Sequence, residues 1–442
     1  MKTLDDIAAA LQGYDPQSLR ADTVQQFLAQ LVQPVSAQES VGLFDALGRV
    51  LAQDIISPIS VPPHDNSAMD GYAFAGTELA HGDPVRLRVV GTALAGQAYR
   101  GAVGPGECVR IMTGAIMPAG LDTVVPQELT QTEGEQVCFS SAGLRPGDNR
   151  RLCGEDLCQG QPALQKGEPL SPAALGLVAS LGIDTVPVLR RLRVAYFSTG
   201  DEILSLGQPP REGAVYDSNR YTVFGLLRRL GCEVLDLGVV RDDPAALEAA
   251  FVRAAGQADA IITSGGVSVG EADFTKAMMR KLGDVAFWRI AMRPGRPMAV
   301  GQILREKLVS SPYYESDGSY QNNEQPAILF GLPGNPVAVM VTFLAFVRPA
   351  LQRMMGLRHS APVLLQAHSQ EPLRKKPGRT EYQRGIVSTA PDGRLQVRTT
   401  GNQGSGVLRS MVQANGLIVL AHDQGNVAVG DPVSVMMFDG II

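Results

Sequence analysis

Cysteine is scarce. Cys108, Cys138, Cys153, Cys158 and Cys232 are all there are in 442 residues, an odd and scattered set. Cys153 and Cys158 stand five apart, which is not zinc-ligand spacing, and no histidine pair accompanies them. A disulfide scaffold and a structural zinc site are therefore excluded, and reduced thiols are expected. The N-terminus has no apolar signal-peptide core, and no run reaches the length of a membrane span. A cytoplasmic protein with no membrane partner is the expectation. Excess positive charge is absent too: the net charge is −5, which argues against a broad nucleic-acid surface. Neither G-x-G-x-x-G nor G-x-x-x-x-G-K-[ST] occurs, so the two common nucleotide fingerprints are missing.

What is plentiful is apolar residue, glycine and proline. Hydrophobic residues make up 45% and charged ones 19%, which suits a packed globular chain of about three domains. The 48 glycines and 29 prolines imply many short turns, so part of the chain should be β-rich. Residues 1–54 read as helical, with helical spacing over Val24–Leu31 and again over Ser40–Gly48. Pro58, Pro62 and Pro63 end regular helix. From about 60 to 150 the pattern becomes short strands: Val85–Val90, Cys108–Met112 and Thr123–Val125. A helix follows over Pro172–Leu181.

From 188 to about 350 strands and helices alternate. Strands are expected at Leu192–Phe197, Val234–Val240, Ala258–Ile262 and Ala327–Phe330. Helices are expected at Asn219–Leu230, Pro244–Ala255 and Pro336–Met355. This is the pattern of a doubly wound parallel sheet. Arg305–Pro326 is polar and aperiodic, a surface insertion between two strands. From Val363 the chain turns β again, and a small barrel is expected.

The stretch around which the chain is organised is Ile261-Ile262-Thr263-Ser264-Gly265-Gly266-Val267-Ser268-Val269-Gly270-Glu271-Ala272-Asp273. A buried strand breaks into a glycine- and hydroxyl-rich loop before a helix, the ordinary build of a phosphate-handling crevice. Ligands of open parallel sheets bind beyond the carboxyl ends of the strands. Those ends carry Ser198-Thr199-Gly200-Asp201-Glu202, Arg241-Asp242-Asp243, Thr263-Ser264-Gly265-Gly266 and Gly331-Leu332-Pro333-Gly334-Asn335-Pro336. Asp217-Ser218-Asn219 and Arg293-Pro294-Gly295-Arg296-Pro297 lie between them. Glu202, Asp242 and Asp273 suit a hard divalent cation, although helix capping explains Asp242 or Asp243 as well. Arg289, Arg293 and Arg296 suit an oxyanion.

Together with Ser67-Ala68-Met69-Asp70-Gly71-Tyr72-Ala73, Met112-Thr113-Gly114-Ala115 and Gly154-Glu155-Asp156, these motifs resemble one family over essentially the whole chain. It is that of the molybdopterin molybdenumtransferases: bacterial MoeA and the E domains of gephyrin and its plant counterpart. The resemblance implies a multidomain α/β protein. Its parts would be an elongated helical and extended N-terminal domain (1–57 plus 150–187), a small β-rich domain (58–149), a doubly wound MogA-like domain (188–357) and a C-terminal β-barrel domain (358–442). It implies that molybdate and adenylylated molybdopterin give molybdenum cofactor and AMP, assisted by Mg2+ or another divalent cation. It also implies a homodimer with a shared active site, working beside a molybdopterin adenylyltransferase and molybdoenzyme apoproteins or their chaperones.

By the same resemblance Thr199, Gly200, Asp217, Ser264, Gly265, Gly266, Ser268, Pro333, Gly334, Asn335 and Pro336 hold the pterin and its phosphate. Glu202, Asp242 and Asp273 hold the cation or polarise the scissile phosphoanhydride. Asp70 and Thr113 act from the second subunit, and Arg151 and Asp156 support the site. Arg289, Arg293, Arg296, Arg379, Arg384 and Ser405 receive molybdate. The sequence departs from the family pattern in two places. Arginines stand at 289, 293 and 296 where lysines are usual, and Thr399–Leu408 lacks the usual arginine or second serine.

Overall fold

A computed structural model describes residues 3–266, 274–314, 325–358, 362–438 and 440. The chain divides into two compact units, one of residues 1–39, 48–50 and 189–442, the other of residues 40–47 and 51–188.

The first unit opens with α1 (Leu4–Ala10) and α2 (Ala21–Leu31). Thr3 and Asp6 form a reciprocal capping box at the start of α1. The amphipathic α2 buries Val24, Phe27, Leu28 and Leu31. Phe27 meets Trp288 edge to face at 4.9 Å, and the Trp288 indole N–H donates to the Tyr14 hydroxyl at 2.9 Å. These residues, grouped with 150–187 in the sequence reading, thus belong to the unit that carries the α/β domain.

That domain runs β1 (Arg193–Thr199), α3 (Ser218–Arg229), β2 (Glu233–Val240), α4 (Pro244–Gln257), β3 (Ala260–Ser264), α5 (Phe274–Leu282), β4 (Gly283–Arg289), β5 (Pro297–Ile303) and β6 (Ala327–Leu332). The sheet order is β2-β1-β3-β6-β5-β4. The first four strands are parallel, and β5 and β4 are antiparallel additions at one edge. Those two strands were not legible in the sequence. The core between sheet and helices gathers Phe197, Phe251, Ile261, Met279 and Leu329, all fully buried.

Next comes α6 (Pro336–Thr342), which continues through a π turn, Phe343–Val347, into Arg348–Met354. Pro349 has no N–H for the preceding turn, and the Gln25 amide donates to the Ala345 carbonyl at 3.2 Å. By length and apolarity alone the Pro336–Met354 run reaches that of a membrane span, contrary to the sequence reading. Its apolar window is 78% buried inside the domain, as a core helix is.

The C-terminal part is a closed five-stranded barrel of β7 (Leu365–Ser369), β8 (Thr380–Thr389), β9 (Leu395–Thr399), β10 (Gly416–Leu420) and β11 (Pro432–Met437). Its order is β8-β9-β7-β11-β10, with β10 returning to β8. The short strand Met292–Arg293 pairs in parallel with Thr380–Glu381, joining barrel to α/β domain.

The second unit holds a six-stranded sheet ordered Thr123–Pro126, Gly71–Phe74, Glu107–Ile111, Val85–Ala93, Gln136–Phe139 and Thr130–Glu133. Apolar clusters cover both its faces. A further cluster forms around Leu51, Leu170, Val178 and Val186, with the helix Pro172–Ser180. The helix read over 40–48 is absent: Gln38–Gly42 is a strand and Leu43–Asp45 a single 3-10 turn. Glycine at 42 and 48 bounds too short a run for a helix. The Leu43 N–H is taken instead by the Asp184 carbonyl. All five cysteines are free thiols.

Candidate functional site

The strand ends align. Ser198 is in register with Ser264, Ser264 with Leu332, and Thr199 with Val240. The loops that follow them therefore open onto one edge of the sheet. Glycine is required where they meet. Gly265 has φ +90°, and a Cβ there would lie 2.5 Å from the Thr199 carbonyl oxygen. At Gly266, φ +65°, a Cβ would lie 2.6 Å from Thr275 Oγ1.

Five buried oxygens at this edge have no hydrogen-bond partner among the described residues: Thr199 Oγ1, Asp217 Oδ2, Asn219 Oδ1, Thr263 Oγ1 and Thr275 Oγ1. Buried polar atoms are ordinarily satisfied, so such a cluster is what a ligand would complete. Asp217 Oδ1 caps α3 by accepting the Arg220 N–H at 3.0 Å, which holds Oδ2 in place. The Asn219 amide donates to the Gly334 carbonyl at 2.8 Å, tying α3 to the Gly331–Pro336 loop. In that loop Pro333 is buried, Gly334 and Asn335 are exposed, and Pro336 opens α6.

Ser264 is placed differently from the sequence reading. Its hydroxyl is buried and shares a network with Tyr196 at 2.6 Å and Ser198 at 3.2 Å, beneath the crevice. Burial pushes the Tyr196 phenol well above its usual range.

Glu202 is exposed, and its carboxylate folds over Gly200, where a Cβ would meet Oε2 at 2.6 Å. Asp242 is half-buried. The cap of α4 is Asp243, which accepts from Ala245 at 3.4 Å and Ala246 at 3.0 Å, so capping accounts for Asp243 and leaves Asp242 to another role. Asp273 and Ser268 lie outside the described residues. Among the described residues no three His, Cys, Asp or Glu side chains gather at metal-binding distance.

A second site lies between the barrel and the Arg293–Pro297 loop. It is a cleft of about 290 Å³ whose walls include Arg293, Arg374, Arg384, Glu371, Glu381, Thr399 and Gln403. Arg384 is only 1% exposed and has no carboxylate partner among the described residues. The two acids are engaged elsewhere: Glu381 pairs with Arg379 at 2.7 Å, and Glu371 accepts the Thr399 N–H at 2.6 Å. Burial, and then the neighbouring Arg293, pull the Arg384 guanidinium down to about 10. The fold thus keeps a buried cation that it has not neutralised, the arrangement of an anion receptor.

Of the six residues assigned to the anion, Arg293 and Arg384 line this cleft, while Arg379 is committed to Glu381. Arg289 and Arg296 are exposed, and their backbones bond Pro16, Leu19 and Ile290. The Ser405 carbonyl accepts the Val337 N–H of α6 at 3.1 Å, bringing the barrel loop to the crevice helix. Arg374 and Gln403 also line the cleft and have no anion role in the sequence reading. Lys375 is held by the carbonyls of Lys376, Gln424 and His422. The signal for Arg384 was its inward place on a strand, beside Gly385.

In the second unit, Asp70 Oδ1 accepts both the Thr113 N–H and the Thr113 hydroxyl at 2.7 Å. These two bonds, with Arg110 nearby, hold the carboxyl below its usual value. Arg151 is exposed and in register with Asn66, and the exposed Asp156 donates its N–H to the Val61 carbonyl at 3.1 Å.

A glycine-shaped crevice on a doubly wound sheet, coupled to a cationic cleft on a barrel, defines a class of protein that handles phosphorylated ligands and oxyanions. The comparisons name the family within that class. Residues 19–182 match the MoeA N-terminal region (domain I and II), 195–353 a probable molybdopterin binding domain, and 366–438 the MoeA C-terminal region (domain IV). The chain is 41% identical to a molybdopterin molybdenumtransferase of Haemophilus influenzae, over 91% of this chain and 95% of that one. It is 35% identical to one of Nostoc, covering 96% and 95%. The structure of the molybdopterin biosynthesis moeA protein of Pyrococcus horikoshii superposes with a TM-score of 0.78 at 26% identity, covering 95% of this chain and all of that one. The chain belongs to the molybdopterin molybdenumtransferase family, whose members are transferases.

Proposed function

We propose that this protein completes molybdenum cofactor synthesis by inserting molybdate into adenylylated molybdopterin, with release of AMP. The observation that carries this reading is the unneutralised Arg384, joined by the Ser405 loop to a crevice with unsatisfied oxygens. A tetrahedral dianion fits the cleft by charge, and Arg293 and Arg384 are its receptors. The crevice takes the pterin and its phosphate. Gly265 and Gly266 permit close approach, and Thr199, Asp217, Asn219, Thr263 and Thr275 supply the polar contacts.

Cleaving a phosphoanhydride calls for positioning and charge neutralisation more than for a strong nucleophile. Glu202 and Asp242, with Asp273, are the residues to hold a divalent cation such as Mg2+. The space that Gly200 leaves for the Glu202 carboxylate suits that role. The cation would neutralise charge on the phosphate oxygens. In this reading the protein is a cytoplasmic homodimer, with Asp70 and Thr113 supplied from the second copy and Arg151 and Asp156 in support. The pre-formed Asp70–Thr113 pair, solvent-accessible in its own unit, supports that sharing.

The test is AMP release from adenylylated molybdopterin, with and without molybdate and magnesium. Release that depends on molybdate is expected. Tight pterin binding without release would remove the enzymatic reading.

A further inference from the structure

Arg384 is gripped by a single loop. Its Nε donates to Ser410 Oγ at 3.0 Å, and its Nη2 to the carbonyls of Gly404 at 3.1 Å and Asn402 at 3.4 Å. The backbone of Arg384 is held as well. Gln403 Oε1 accepts the Arg384 N–H at 2.8 Å, and Gln403 Nε2 donates to the Arg384 carbonyl at 3.2 Å and to Thr400 Oγ1 at 3.3 Å. The β8–β9 ladder ends at the pair Gly385–Thr399. At the next position the Arg384 carbonyl still accepts the Thr400 N–H at 3.1 Å, and the Gln403 amide takes the Arg384 N–H and adds a second bond to that carbonyl. Two residues further along, the Ser405 carbonyl takes the Val337 N–H at the start of α6.

We infer that Gln403 is a positioning residue for the anion cleft: its amide fixes the Arg384 backbone against the loop whose carbonyls at 402 and 404 hold the Arg384 guanidinium, and so aligns the cleft with the crevice helix. A buried cation without a counter-ion keeps a productive direction only if its surroundings fix it, because small displacements of a preorganised charge lose most of its effect. The inference rests on the reading of the cleft as the molybdate site.

The experiment compares Gln403→Met and Arg384→Lys, alone and combined. It measures AMP release against molybdate and against adenylylated molybdopterin, and thermal melting with and without inorganic molybdate. For Gln403→Met, half-saturating molybdate is expected to rise about tenfold, with half-saturating pterin substrate unchanged. The melting temperature without molybdate should be near that of the parent. In the Arg384→Lys background the Gln403 effect should largely vanish, since both act through one group. An unchanged molybdate response in Gln403→Met, or an equal effect of Gln403→Met in both backgrounds, overturns the inference and leaves the cleft reading intact. A normal molybdate response in Arg384→Lys overturns the cleft reading and the inference with it. If Gln403→Met fails to fold, Gln403→Glu, of the same size, is measured by the same criteria.

Discussion

Among the described residues, the unpartnered polar groups at the ends of the parallel strands are oxygens, whereas the barrel cleft holds a buried guanidinium with no carboxylate partner. The crevice is built from backbone, where glycines at 265 and 266 clear space that any side chain would fill. The cleft is built from side chains: Glu381 pairs with Arg379 and Glu371 accepts a backbone N–H, so the buried Arg384 has no carboxylate partner among the described residues. Under the proposed function the difference separates two tasks within one unit: shape recognition of a large ligand, and charge recognition of a small dianion.

The sharpest way to break this comparison is Arg384→Met. Molybdate-dependent AMP release should fall by about 10²–10³-fold, the usual loss for one preorganised charge contact. The melting temperature should fall only modestly, because relief of the desolvation cost of an uncompensated buried charge offsets the loss of the bonds to Ser410, Gly404 and Asn402. A collapse of the melting transition alongside the lost activity would make Arg384 a structural cation and erase the contrast. Asp217→Asn tests the other side. Asparagine keeps the cap on α3 and converts the orphaned acceptor to a donor, so pterin binding measured by calorimetry should weaken about tenfold while the molybdate response of the cleft persists. Equal weakening of both would mean that the sites are not separable.

The smallest effect is expected in the second unit. Thr113→Val removes one of the two bonds on Asp70, so its carboxyl pKa should rise toward the usual value, as read by NMR titration. The acid limb of the activity profile should move to higher pH with it. The sign follows from the lowered pKa: the stabilisation is present above the usual carboxyl value and is lost as pH falls through the lower folded value. An unchanged titration would show that the backbone N–H alone sets the charge.

The order of strands and helices in the α/β domain, and the loops at their carboxyl ends, were legible because apolar runs, caps and glycine clusters are local signals. The Ser40–Gly48 run was misread since helical spacing over so few residues does not outweigh strand pairing. The edge strand β4 was missed because strand pairing at a sheet edge leaves little local trace, and β5, flanked by β6 and β4, because Pro297 and Gly301 break up its apolar run.

Residue type and spacing by themselves located a glycine-rich loop at the end of a buried strand, acids at strand ends and arginines near a barrel. Which hydroxyl is satisfied inside the protein was decided by register: Ser264 falls opposite Ser198 and turns to Tyr196, while Thr199 and Thr263 have no partner among the described residues. Which arginine is free was likewise decided by neighbours far apart in sequence. Glu381 takes Arg379 and leaves Arg384 uncompensated, and the electrostatics of a buried charge depend on everything packed around it, not on its own segment of chain.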